Sequence, residues 1–227
     1  MDANGKTKAL TFSYDDGVES DRKLVSILNK YGMKCTFNLN SGLMTRASNW
    51  NYNGFQVFHM NATEVGDLYA GHEIASHTLT HADLIYLDDD TVSNEILTDR
   101  KHLQSMFGQP IRGMAYPVGY YDERVKKIVG QCGIFYARTT VSTHSFGIPD
   151  DLLAYHPTCH HDDEDLFELA KHFLELETET PQVFYVWGHS YEFDGKKNWD
   201  RLERFCELMA GRQDIDYCTN SEALLRD

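Results

Sequence analysis

The feature that most constrains this chain is a regular alternation. Short apolar runs of strand character are followed, nearly end to end, by segments with helical spacing of their apolar residues. Lys8–Ser13 reads as a strand, Asp21–Lys30 as a helix stopped at Tyr31-Gly32, and Cys35–Leu39 as a second strand. Thr63 is the expected cap of a helix running to Ala70, with Gly71 after it, and Glu73–Ser76 is a short strand. Asp88–Met106 is the longest helical stretch, closed by Phe107-Gly108. Arg112–Tyr116 and Phe135–Thr139 read as strands on either side of a helical Asp122–Val129. Leu166–Leu176 is helical, Val183–Trp187 a strand and Trp199–Met209 a helix. Ile215–Cys218 is a last strand before a short terminal helix. Such alternation implies an α/β fold with a largely parallel sheet, and about seven strand–helix units imply a closed or nearly closed (β/α) barrel. Chemistry in barrels of this kind sits at the C-terminal ends of the strands.

With 227 residues and no repeat, low-complexity segment or linker, one domain over residues 1–227 is expected. Ser41–Met60 is the longest stretch without periodicity; it carries Trp50, Tyr52, Phe55 and Phe58 and reads as a loop, either over the mouth of a site or simply packed on the surface. Thirty-five acidic against 21 basic residues give a net charge of −14, a surface that repels phosphate backbones, so nucleic acid and anionic membranes are poor partners. No segment approaches the roughly 20 apolar residues of a membrane span. The start, MDANGKTKAL, has no apolar signal core, so the expectation is a cytoplasmic chain or a mature form whose signal was removed. Five cysteines, odd in number and without a CxxC pair, argue for buried free thiols rather than disulfides, which favours a reducing compartment.

Four short motifs carry chemistry, each after a strand-like run. In TFSYDDG, Thr11 to Gly17, the adjacent carboxylates Asp15 and Asp16 repel unless a cation or basic partner offsets them. A turn there points the two side chains apart, one to a metal and one free as a base; the bland alternative is an Asp-Asp-Gly turn with a helix cap. In HTLTH, His77 and His81 stand at i and i+4, a spacing that on a helical turn lets two imidazoles share a metal. With Asp16 they make a set of three protein ligands, which leaves a fourth position open and marks a catalytic rather than structural metal site. AYPVG, Ala115 to Gly119, is a tight turn able to aim backbone N–H groups at an oxyanion. VFYVWGHS, Val183 to Ser190, delivers Trp187 and His189 to the rim, where a histidine can act as general acid.

In this order the motifs resemble the polysaccharide deacetylase family, the NodB-homology domain of carbohydrate esterase family four, over Thr11 to about Asp194. The resemblance implies a distorted (β/α) barrel and a metal-dependent hydrolase that removes acetyl groups from a carbohydrate, either an N-acetyl amino sugar or an O-acetyl sugar. It implies Asp15 as the base that takes a proton from metal-bound water, Asp16, His77 and His81 as ligands, the Val118 N–H as an oxyanion donor, and His189 as the acid. Two imidazoles and a carboxylate suit zinc, with cobalt, nickel or manganese able to substitute. Tyr116, Trp187 and His160 are the candidate substrate contacts.

The chain departs from the family pattern twice. The arginine expected two residues before the proline, which pairs with the base, is Ala115 here. Arg138, at the end of the next strand, is the preferred substitute, with Arg112 the alternative. The DxxDW motif that shapes the pocket and orients the catalytic histidine is missing, and His160 or His161 of YHPTCHHDD, Tyr155 to Asp163, is the candidate for that space. Two other readings remain open: an amide or cyclic-imide hydrolase on the same scaffold, and a carbohydrate-binding protein without turnover. The second predicts loss of the base or acid, yet Asp15 and His189 are both present.

Overall fold

The computed structural model describes residues 6–225; the first half of the polar amino-terminal stretch lies outside them. In chain order the elements are β1 (Lys8–Asp16), α1 (Asp21–Lys30), β2 (Cys35–Leu39), β3 (Asn49–Tyr52), β4 (Phe55–Phe58), β5 (Glu73–Ser76), α2 (Asp89–Phe107), β6 (Gly113–Ala115), α3 (Glu123–Gln131), β7 (Tyr136–Arg138), β8 (Cys159–His160), α4 (Leu166–Glu175), β9 (Gln182–Gly188), α5 (Ser190–Lys196), α6 (Trp199–Met209), β10 (Ile215–Tyr217) and α7 (Asn220–Leu224).

Seven strands run in the order β7-β6-β5-β2-β1-β9-β8, and β10 pairs with the first half of β1. Every pairing within this sheet is parallel. The segment after β7 brings the two ends of the sheet together. Thr139 N–H donates to the Tyr155 carbonyl and Tyr155 N–H to that of Ala137, and four residues on, Cys159 and His160 pair with β9. The sheet is thus a curled half-barrel, the distorted (β/α) barrel expected from the alternation. All nine residues of β1 are buried, as a strand covered on both faces requires.

The helix ends are fixed by local chemistry. Asp88 caps α2 by accepting from Thr91 N–H, and Gly108 closes it with φ 64°. Asp122 caps α3 in the same way, and Thr219 with Glu222 forms a capping box on α7.

Three local expectations are corrected. Residues 63–70 form no helix: successive i to i−3 turns link Asn61, Val65 and Asp67 to Glu64, Leu68 and Ala70, because Gly66 interrupts a short segment that β-branched Thr63 and Val65 already weaken. Ser41–Met60 is not wholly irregular, since β3 and β4 pair as an antiparallel hairpin through Asn53-Gly54, both with positive φ. His77 and His81 do not sit on a helical turn; Thr78 and His81 adopt φ 65° and 58°, which a right-handed helix excludes.

Candidate active site

The site is built at the C-terminal ends of the strands, around a cavity of about 460 Å³. β1 ends there in the acidic pair. Asp16 takes φ 79°, which turns it away from the direction of Asp15. Positive φ recurs at Thr78, His81 and Val118, so four non-glycine residues at this rim hold a costly backbone conformation. Each such residue costs on the order of 1–3 kcal/mol, and strain of this kind concentrates at functional sites.

Asp15 is buried and held from two sides. Asn38, its register partner on β2, donates to Oδ1 at 2.8 Å. Arg138 donates Nη2 to the same oxygen at 2.6 Å and also contacts Oδ2. Arg138 is the register partner of Ala115 on the adjacent strand, which carries it to the same rim. The guanidinium also lies 4.5 Å from the centre of the Trp187 ring and is only 1% exposed. Burial alone raises the Asp15 carboxyl, but Arg138, His77 and His189 bring it down to about 2.

The second acid faces the two histidines. His77 Nε2 lies 3.7 Å from Asp16 Oδ1, and His81 Nε2 lies 3.8 Å from the same oxygen. His77 Nδ1 is 2.8 Å from the Ala115 carbonyl. A carbonyl only accepts, so Nδ1 carries the hydrogen and Nε2 presents its lone pair. Burial pushes the His77 pKa down to about 4, which keeps the ring neutral as a ligand must be. Asn40 secures the turn by donating to the carbonyls of His77 and Thr78, and the Glu95 carboxylate receives Thr80 N–H at 2.9 Å. One carboxylate and two imidazoles whose donor atoms all lie within 4.8 Å of one another fit a divalent metal.

Two other groups of potential ligands, among the described residues, fit less well. At His160, His161, Asp162 and Glu192, Asp162 N–H donates to His160 Nδ1. That leaves the His160 hydrogen on Nε2, 3.0 Å from Glu192, so neither ring nitrogen has a lone pair free for a metal. Lys196 already offsets Asp162. His144 with Asp163 and Asp165 is an exposed ion-pair cluster.

His189 stands at the N-terminus of α5 on the other side of Asp15, with Nε2 3.8 Å from Asp15 Oδ2. Its Nδ1 lies 3.5 Å from Glu192 Oε1, one turn further along the same helix. Burial lowers the His189 pKa, but Glu192, Asp16 and Asp15 more than reverse this and bring it to about 9. Glu192 is in turn approached by His160 and His161 at 3.0 and 3.1 Å, and these histidines with His189 hold its carboxyl far below the usual carboxylate range despite burial.

The remaining sequence candidates divide. Val118, Tyr116 and Trp187 line the cavity. The Tyr116 hydroxyl is turned away and donates to the Leu153 carbonyl, so only its ring and backbone face the site. His160 is corrected: it is not part of the cavity lining but packs edge-on behind Trp187, with ring centres 4.7 Å apart, and bears on Glu192. Arg112 is solvent-exposed on the far side of β6 from the rim. Glu192, Asn38, His59, Trp50 and Tyr191 were not assigned to the site from sequence. The Asn53-Gly54 turn signal and the His189-to-Glu192 spacing were the cues available for His59, Trp50 and Glu192.

Fold and site together define a (β/α) barrel with an acid–histidine centre at its strand ends. The sequence model for the family described as polysaccharide deacetylase matches residues 2–137, and the chain belongs to that family. It is 26% identical over 143 residues to the putative polysaccharide deacetylase YxkH of Bacillus subtilis (strain 168), covering 62% of this chain and 47% of that protein. It is 27% identical over 148 residues to a chitin deacetylase of Pestalotiopsis sp, covering 65% and 46%. The chain thus spans about half the length of these curated relatives. In three dimensions it resembles the family 4 carbohydrate esterase from Streptomyces lividans solved in complex with acetate, at a TM-score of 0.61 and 15% identity over 98% of both chains; at that identity the likeness is one of fold.

Proposed function

We propose that this chain is a metal-dependent hydrolase that removes acetyl groups from a carbohydrate, an N-acetyl amino sugar or an O-acetyl sugar, and that residues 1–227 form one catalytic domain. The observation that carries the reading is the convergence, on one cavity, of a buried ion-paired carboxylate, a three-donor ligand set and a histidine held by a second carboxylate. Asp16, His77 and His81 would hold the metal. Zinc suits the set best, and cobalt, nickel or manganese can replace it. When bound, the ion supplies a Lewis acid that polarises the acetyl carbonyl and makes water more acidic.

The chain's own groups do the rest. Asp15 is kept anionic by Arg138 and Asn38 and is oriented to take a proton from the attacking water. The Val118 backbone, in the strained turn after Pro117, offers its N–H to the carbonyl oxygen as negative charge develops there. His189 starts protonated, as its proximity to Glu192 and the acidic pair favours, and gives that proton to the departing nitrogen or oxygen. Glu192 is a positioning residue that fixes the imidazole from Nδ1. The family relationship and the presence of both Asp15 and His189 support turnover over simple sugar binding.

The test is acetate release from N-acetyl chito-oligosaccharides and acetylated xylan. Release should stop on chelation and return with added zinc, and Asp16→Ala should stay inactive after the same addition. Release that is indifferent to chelation, or an Asp16→Ala protein that matches the parent, removes the metal from the mechanism.

A further inference from the structure

His160 and His161, at the end of β8, lie outside the cavity lining, yet both rings are directed at Glu192. His161 is the more constrained of the two. Its ring is 2% exposed and stacks near-parallel to those of Phe193 and Tyr14, with ring centres 4.1 and 5.6 Å away. Its backbone is pinned at both groups. His161 N–H donates to the Trp187 carbonyl at 2.8 Å, and Arg201 Nε donates to the His161 carbonyl at 3.0 Å. The ring also needs the glycine of VWGHS, since a Cβ at Gly188 would fall 2.0 Å from His161 Nδ1. The backbone one residue before His189 is thus kept bare to admit a second histidine behind it.

The hydrogen positions follow from the partners. Asp162 N–H occupies His160 Nδ1, so the His160 hydrogen is on Nε2, 3.0 Å from Glu192 Oε2. His161 Nε2 faces two carboxylates, Glu192 Oε2 at 3.1 Å and Asp162 Oδ2 at 3.3 Å, so it too carries a hydrogen. Two N–H groups therefore converge on one oxygen of Glu192. The other oxygen, Oε1, is turned to His189 Nδ1 at 3.5 Å. An unbraced glutamate side chain is among the more mobile, and holding it in one rotamer costs entropy that these contacts offset.

Building on the deacetylase reading, we infer that His161, with His160 beside it, is a positioning residue for the acid step: the pair clamps Oε2 of Glu192, so that Oε1 keeps the His189 imidazole aligned as it gives its proton to the leaving group. The clamp acts through Glu192. The attack of water relies on Asp15 and does not require it.

Two substitutions separate positioning from packing. His161→Phe keeps a ring to stack on Phe193 and Tyr14 and removes the N–H. His161→Gln returns an amide N–H near the former Nε2. The readout, on zinc-loaded protein, is a ratio of two kcat values. The first is for whichever of N-acetyl chito-oligosaccharide and acetylated xylan the parent deacetylates. The second is for 4-nitrophenyl acetate, whose leaving group needs no proton. Positioning predicts that His161→Phe lowers the ratio by at least about tenfold, with the sugar KM within about twofold of the parent, and that His161→Gln recovers much of the loss. In a Glu192→Gln background the same His161→Phe change should move the ratio by less than about twofold, because residues acting through one another are not additive. An unchanged ratio overturns the inference, whether both activities are kept or both fall equally. So does a His161→Gln ratio below that of His161→Phe, or an undiminished effect in the Glu192→Gln background. Each of these leaves the deacetylase reading standing, whereas a parent that releases acetate from no acetylated sugar overturns that reading and this inference together.

Discussion

The Arg138–Asp15 pair offers the sharpest energetic test. Both side chains are almost fully buried, at 1% and 3% exposed, and the guanidinium touches both carboxylate oxygens. Arg138→Met preserves much of the volume but leaves a carboxylate inside the barrel with only Asn38 as a strong donor. Removing one partner of a buried pair typically costs about 3–5 kcal/mol, because the other charge remains without compensation. The lost contact with the Trp187 ring adds on the order of 0.5–2 kcal/mol. For a domain of this size each kcal/mol moves Tm by roughly 2–4 °C, so a fall of at least about 6 °C is expected. Asp15→Asn alone should also destabilise, since it leaves the guanidinium unpaired. The double variant should lose less than the sum of the two, by about 0.5–3 kcal/mol, the range for directly coupled residues. Urea denaturation of the four proteins at pH 7 in the presence of chelator measures this without interference from metal. Arg138→Met within 1 kcal/mol of the parent, or strictly additive losses, would refute the claim that Arg138 replaces the arginine missing at Ala115.

Two further outcomes are expected. His189→Gln should cut kcat on N-acetyl sugars by about 10²–10⁴-fold and affect aryl acetates much less, because an aryl oxide leaves without a proton; equal losses on both would make His189 structural. Asp21 is buried and receives Ser190 Oγ at 2.5 Å and Tyr69 at 2.8 Å; burial outweighs these donors and raises its pKa from 3.8 to about 7. A raised folded-state pKa favours the protonated form, so this contribution to stability is full below about pH 4 and is lost as pH rises through 7. At about 1.36 kcal/mol per pH unit the effect approaches roughly 4 kcal/mol. In metal-free protein, Asp21→Asn should therefore gain stability relative to the parent between pH 4 and pH 8, and a constant difference over that range would show that Asp21 does not titrate there.

What could be read from the sequence follows from the range over which each signal acts. The strands of the barrel could be read because β1, β2 and β9 are buried along nearly their whole length and so are rich in apolar residues between turn and helix signals. The position of Arg138 could be read because it depends only on sequential strands being neighbours, and Ala115 and Arg138 are indeed register partners. The convergence of Asp16, His77 and His81 could be anticipated, but for a reason other than the one their spacing suggested. An i, i+4 pair implies a helical turn; here left-handed residues and the Asn40 side chain bring the two imidazoles together. Spacing constrains how far apart two ligands can lie and leaves the backbone path between them open. The carboxylate behind His189 is hard to read from the sequence, because no separate acidic motif marks it. Glu192 lies three residues after His189 on a seven-residue helix with little apolar periodicity of its own. Its partners, His160 and His161, come from the two-residue strand β8, too short to register as a strand in the sequence. His59 required a further step, since its place beside Asp16 depends on the Asn53-Gly54 turn folding the preceding residues back against Val18. The legible part of this site is therefore the part held by long buried strands, and the residues that surround and position it come from short elements whose conformation is set by tertiary contacts.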